Sequence, residues 1–141
     1  MQSTGKDRGG FYISTQGHDA GITLNGQHYE NNDGDDYVYC QWIVNSKSIN
    51  MSPFSQLKVT FKPSFGRGED GWGGVGRIYL MNKDKNYIKR SDYARAGFLD
   101  EVTIVLDVSD VNIHTFFRIE IESMEGAYYG ESYVQKIEFV K

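Results

Sequence analysis

The chain has 141 residues, of which 39% are hydrophobic, 24% charged and 14% aromatic, and its formal net charge is −4 at pH 7. That length suits one domain with a self-sufficient core. The acidic balance and the lack of any lysine or arginine run argue against nucleic acid or an anionic membrane as partner, and no apolar run approaches the ~20 residues of a membrane helix.

Residues 1–10 (MQSTGKDRGG) contain no apolar segment, so they read as a flexible lead-in and not as a signal peptide, with one domain expected over residues 11–141. Weak strand patterns occupy 11–14 and 21–24, and 25–36 (NGQHYENNDGDD) reads as a loop. Over 37–44 the period is two: Val38, Cys40, Trp42 and Val44 share one face and Tyr39 and Gln41 the other. That first face is expected in the core, which makes Cys40 a buried inert thiol. As the one cysteine, it also excludes an intramolecular disulfide.

Leu57, Val59 and Phe61 alternate with Lys58, Thr60 and Lys62, so a strand is expected at 56–62. Residues 63–76 (PSFGRGEDGWGGVG) hold six of the sixteen glycines and read as a long loop between strands. Strands at 76–82 and 86–90 form a hairpin about Lys83-Asp84-Lys85, and 91–99 has room for a short helical turn at most. Val102, Ile104, Leu106 and Val108 mark a strand at 101–107; Phe117, Ile119 and Ile121 mark 114–122; Ile137 and Phe139 mark 133–140.

Leaving aside 11–14, these make eight strands with no sustained helical period. The expectation is therefore an all-β fold, a two-sheet antiparallel β-sandwich of jelly-roll type. If each strand reverses the last, the connections 25–36, 63–75, 91–100 and 123–132 meet at one end. Those connections carry Tyr29, Trp72, Tyr93, Tyr128 and Tyr129 with many carboxylates; the opposite set carries Phe54 as its aromatic. Function concentrates on loops held by a rigid scaffold, so the aromatic end is the expected business end.

A pyranose offers an apolar C–H face and a rim of hydroxyls. Aromatic rings match the first and charged forks the second. The candidate ligand-binding residues are Trp72, Tyr128 and Tyr129 as rings, with Arg67, Glu69, Asp70 and Glu125 as polar partners. The plainer role for Trp72 is to anchor its own glycine-rich loop. A second candidate surface is the sheet faces, where Tyr37, Tyr39, Tyr79, Phe116, Lys58 and Arg118 point away from the core positions. The run Asn31-Asn32-Asp33-Gly34-Asp35-Asp36 is rich in oxygen donors, so Asp33, Asp35 and Asp36 are candidates for a structural calcium, without the closing Glu of an EF-hand. His18, His28 and His114 are scattered, and neither a zinc spacing nor a nucleophile motif is present. No catalytic residue is assigned and an enzyme is not expected.

The segments LKVTFKPSFG (57–66), GRIYLMN (76–82), EVTIVLDVSD (101–110), HTFFRIEIES (114–123) and VQKIEFVK (134–141) together resemble a galactose-binding-domain-like jelly roll of the carbohydrate-binding-module kind. They are similar to modules inserted in distal tail and baseplate proteins of phages. The resemblance implies a non-catalytic, lectin-like module that binds a cell-surface saccharide through end loops, often with a structural Ca2+. It would serve host adhesion as an extracellular or virion-associated part of a larger protein, with a bacterial cell-wall polysaccharide as partner. The competing expectation is a structural or protein-interaction jelly roll of a virion with no sugar site.

Overall fold

The computed structural model describes residues 11–13, 28–32, 40–45, 47–67, 70–123 and 129–141. Two sheets face one another. In the first, β1 (Phe11–Ile13), β12 (Tyr129–Val140), β5 (Gln56–Arg67) and β10 (Val102–Asp107) lie side by side, and β6 (Asp70–Trp72) folds back on β5. In the second, the order is β2 (His28–Asn32), β3 (Cys40–Val44), β11 (His114–Ser123), β7 (Gly74–Asn82) and β8 (Tyr87–Arg90). Two short pieces complete it, β4 (Ile49–Asn50) on β11 and β9 (Ala94–Ala96) on β7. Pairing is antiparallel except for β1, which runs parallel to β12.

From β3 the chain crosses to β5, back to β7, turns through β8, and then crosses to β10, β11 and β12 in alternate sheets. This is the winding of a jelly roll. Among the described residues no helix is long and apolar enough to cross a membrane.

The core forms where the two inner faces meet. Leu57, Val59, Phe61, Phe65, Ile104, Leu106, Val134, Ile137 and Phe139 come from the first sheet, and Ile78, Leu80, Phe117, Ile119 and Ile121 from the second. These are the positions that the period-two pattern marks as inward. Each large side chain sealed here is worth roughly 1.5–3 kcal/mol, and the Phe117 and Phe139 rings meet edge-on at 5.9 Å between centroids. Val134 and Ile137 both face inward, three positions apart, because the register of β12 against β5 shifts between Val134 and Lys136. A bulge of this kind adds one residue and restores the phase. Gly76 is required by packing: a Cβ there would sit 2.6 Å from the Phe61 ring.

Four expectations are corrected. Residues 63–67 continue β5 and do not begin a long loop: Phe65 belongs to the core, and the strand is paired with both β12 and β6. Glycine and proline suggested a break, yet Pro63 is buried within the strand and its carbonyl accepts the Leu99 N–H at 2.7 Å. Residues 28–32, read as loop, form an edge strand on β3. Residues 94–96 add to β7 as a strand and not as a helical turn. The expected face of Trp42 is also reversed. Ile43 pairs with the core residue Ile119, so Trp42 falls on the opposite face with Glu120. Cys40 is placed only by its backbone pairing with Glu122. Of the other early candidates, 21–24 lies outside the described residues.

Candidate binding face on the second sheet

Strand alternation decides which side chains of the second sheet turn away from the core. On β7 the inward set is Gly74, Gly76, Ile78 and Leu80, so Val75, Arg77, Tyr79 and Met81 face out. On β11 the inward set is Thr115, Phe117, Ile119, Ile121 and Ser123, so Phe116, Arg118, Glu120 and Glu122 face out. Register then aligns these in rows. Arg118 lies between Val44 and Tyr79, and Glu120 between Trp42 and Arg77.

The result is a ladder of rings and guanidinium groups across the sheet. The Arg118 guanidinium carbon stands 4.4 Å from the Trp42 ring centre and 5.4 Å from that of Tyr79. The Arg77 guanidinium carbon is 5.6 Å from the Tyr79 ring centre and 3.4 Å from that of Tyr93. Its Nη1 donates to the Tyr79 hydroxyl at 3.1 Å. Tyr87 meets Tyr79 edge-on at 6.3 Å, and Lys85 Nζ lies 5.2 Å from the Phe116 ring centre.

Tyr93 lies on the link between β8 and β9, and its position follows from Ser91. That residue is buried; its N–H donates to the Ile78 carbonyl, and its Oγ accepts the Ile78 N–H, both at 2.9 Å. The chain two residues on is thereby held beside Arg77. Tyr93 remains 49% exposed and Tyr87 59% exposed, so ring surface is open to solvent.

Glu120 is an outward-facing carboxylate that is nonetheless only 9% exposed. Arg118 Nη2 donates to its Oε2, which compensates its desolvation. The Nε atoms of both Arg77 and Arg118 are buried without a hydrogen-bond partner among the described residues. Buried donors are almost always satisfied, so two such groups on one face call for an acceptor. Burial and the nearby Glu122 carboxylate push the Tyr93 hydroxyl above its ordinary value, against the opposing pull of Arg77. Flat rings, guanidinium forks and a fixed carboxylate acceptor are the groups that grip a hydroxyl-bearing ring.

The loop candidates fare differently. Glu69, Glu125 and Tyr128 lie outside the described residues, as do Asp33, Asp35, Asp36, Tyr37 and Tyr39. Arg67, Asp70, Trp72 and Tyr129 are placed by backbone alone, in β5, β6 and β12: Arg67 pairs with Asp70, Phe65 with Trp72, and Tyr129 with Gly66. The same end of the sandwich receives Ser123 beside Gly74, Cys40 beside Glu122, and Leu99 beside Pro63, so the register gathers the four expected chain ends. Leu99 adopts a φ of 57° there, and Phe98 lies against Gly71. Of the sheet-face candidates, Tyr79, Phe116 and Arg118 are on the face described, whereas Lys58 pairs with Val105 in the first sheet. Arg77, Glu120, Trp42 and Tyr93 were not assigned to that face from sequence. The shared parity of Arg118 and Glu120 on one strand, and of Arg77 and Tyr79 on another, is the signal that marks it. Among the described residues no cluster of three or more His, Cys, Asp or Glu is arranged for a metal.

No protein-family model and no curated protein matches the chain. Solved structures with a similar course of chain include a carbohydrate-binding module of the β-sandwich superfamily (TM-score 0.49, 11% identity), matched over 92% of this chain and 63% of that one. The lectin domain of lectinolysin complexed with Lewis B antigen matches with TM-score 0.36 and 12% identity, over 82% of this chain and 71% of that one. The enzymatically active domain of bacteriophage CBA120 tailspike protein 4 matches with TM-score 0.41 and 8% identity, over 80% of this chain and 20% of that one. The chain thus spans less than two thirds of the first of these. In fold, this chain is an all-β two-sheet sandwich.

Proposed function

We propose that the protein is a non-catalytic saccharide-binding module and that its ligand lies on the outer face of the second sheet. The observation that carries this reading is the pair of buried Nε donors of Arg77 and Arg118, without a partner among the described residues, set between the rings of Trp42, Tyr79 and Tyr93. The rings would take the apolar face of a pyranose, the guanidinium groups its oxygens, and Glu120 its hydroxyl protons. Affinity per module is expected to be weak, with avidity from repeated copies. The setting proposed is extracellular or virion-associated, as the host-adhesion part of a phage tail or baseplate, with a bacterial cell-wall polysaccharide as ligand.

A second reading places the saccharide at the end where the connections meet, on Trp72, Arg67, Asp70 and Tyr129 with Glu69, Glu125 and Tyr128. It is favoured by the register that gathers those chain ends. A structural calcium on Asp33, Asp35 and Asp36 is proposed with it, tested by whether calcium raises the melting temperature of chelator-treated protein.

A glycan array extended with cell-wall polysaccharides, probed with wild type, Trp42→Ala and Trp72→Ala, separates the readings. Selective binding lost in Trp42→Ala and kept in Trp72→Ala supports the sheet face. The reverse supports the end loops. Silence of the wild type across the array overturns saccharide binding and favours a structural or protein-interaction role.

A further inference from the structure

We infer that the saccharide is anionic, carrying a carboxylate or a phosphate that Arg77 and Arg118 receive; this rests on the sheet-face reading above. The chain carries six arginines. Four of them, Arg77, Arg90, Arg95 and Arg118, occupy this one face, since Arg90 pairs with outward Tyr79 and Arg95 with outward Val75. Among the described residues, the carboxylates at strand positions of the same face are Glu120 and Glu122 on β11 and Glu30 on β2, in register with Trp42. Among the described strand positions, four guanidinium groups against three carboxylates leave the face positive on a chain whose net charge is −4.

The distribution of partners points the same way. Glu120 pairs, among the described residues, with Arg118 alone. Among the described residues Arg77, Arg90 and Arg95 take part in no ion pair, and the bond from Arg77 Nη1 goes to a neutral hydroxyl. A guanidinium group uses its Nε edge for two-point contact with carboxylate or phosphate, which an ammonium group cannot match. Among the described residues the Nε of both Arg77 and Arg118 is buried and unanswered, while Arg118 Nη2 on the same edge is held by Glu120. Stacking on Tyr93 and Trp42 holds the two forks in place, so little ordering is left for the ligand to impose.

The test measures binding of the whole chain to polygalacturonate, hyaluronate and a glycerol-phosphate teichoic acid. Each acidic polymer is compared with its neutralised form, methyl-esterified or dephosphorylated, alongside a neutral galactan and glucan. The expected result is at least about tenfold tighter binding of one acidic polymer than of its neutral form, weakening with added salt. The carboxylate and phosphate arms identify the acid. Arg77→Gln should abolish the preference, while Arg77→Lys should keep part of the salt dependence and lose affinity. Equal binding of acidic and neutral forms, or binding of neutral polymers alone, overturns the inference and leaves saccharide recognition standing. An acid preference that survives both Arg77→Gln and Arg118→Gln, in variants with unchanged melting, also overturns it. Binding to none of these polymers, with a silent glycan array, overturns both.

Discussion

The guanidinium carbon of Arg118 lies 4.4 Å from the centre of the Trp42 ring, and the same side chain donates to the buried carboxylate of Glu120. One residue of β11 thus joins an aromatic of β3 to a charge on its own strand, on the face that turns away from the core. The Nε of Arg118 is buried and has no hydrogen-bond partner among the described residues.

Trp42→Ala should separate ligand binding from stability. The ring is half-buried and outside the core cluster, so its loss removes a stacking contact worth about 0.5–2 kcal/mol and little packing. Thermal denaturation should show a shift of a few degrees, while the saccharide signal on an array falls to background. A collapse of the melting transition would instead assign Trp42 a structural role.

How far this could be read in advance depended on whether one strand or two had to be known. Leu57, Val59, Phe61, Ile104 and Ile119 alternate with polar neighbours, so each inward face is legible within its own segment. The gathering of chain ends also followed from reversing direction at every strand. Trp42 was different, because β3 carries apolar residues on both parities, and only its register against Ile119 decides the face. Residues 63–67 were obscured by glycine and proline, which local rules take as a break. Pairing with β12 and burial of Phe65 outweigh them. Arg77 and Glu120 gain meaning only when β7 and β11 are aligned, since their side chains lie in one row across two strands.

Gly76→Ala tests the closeness of the two sheets. The added methyl would meet the Phe61 ring at 2.6 Å and Ile104 Cδ1 at 3.0 Å, where all three residues are buried. Overpacking of a filled core costs roughly 1–3 kcal/mol, and a matching loss in chemical denaturation is expected. Phe61→Leu combined with Gly76→Ala should recover part of it, because the clash is with the ring.

Asp107 gives a local acid-side marker. The Ser109 hydroxyl donates to its carboxylate at 2.6 Å and the Ser109 N–H at 2.9 Å, which holds the carboxyl below its ordinary value. A lowered carboxyl contributes stability above its unfolded-state value, and that contribution disappears as pH falls through the folded one. Ser109→Ala removes the larger cause, so the Asp107 midpoint followed by carbon NMR should rise toward normal. The stability gap between variant and wild type should be open at neutral pH and close in acid.

Tyr93 reports from inside the candidate face and links it to charge. Desolvation and then Glu122 raise its hydroxyl above the ordinary value, while Arg77, stacked on its ring, pulls the other way. The proton is therefore held more tightly folded than unfolded. The stabilising contribution is full below the unfolded value and is lost as pH rises through the raised folded one. Arg77→Gln removes the opposing cation, so the Tyr93 titration, isolated by difference against Tyr93→Phe, should move higher still. A bound acidic saccharide on Arg77 adds negative charge beside the same ring and should move it in the same direction. A neutral saccharide stacked on Tyr93 acts through burial alone, and its effect should persist in Arg77→Gln, whereas the shift caused by an acidic one should vanish with that arginine.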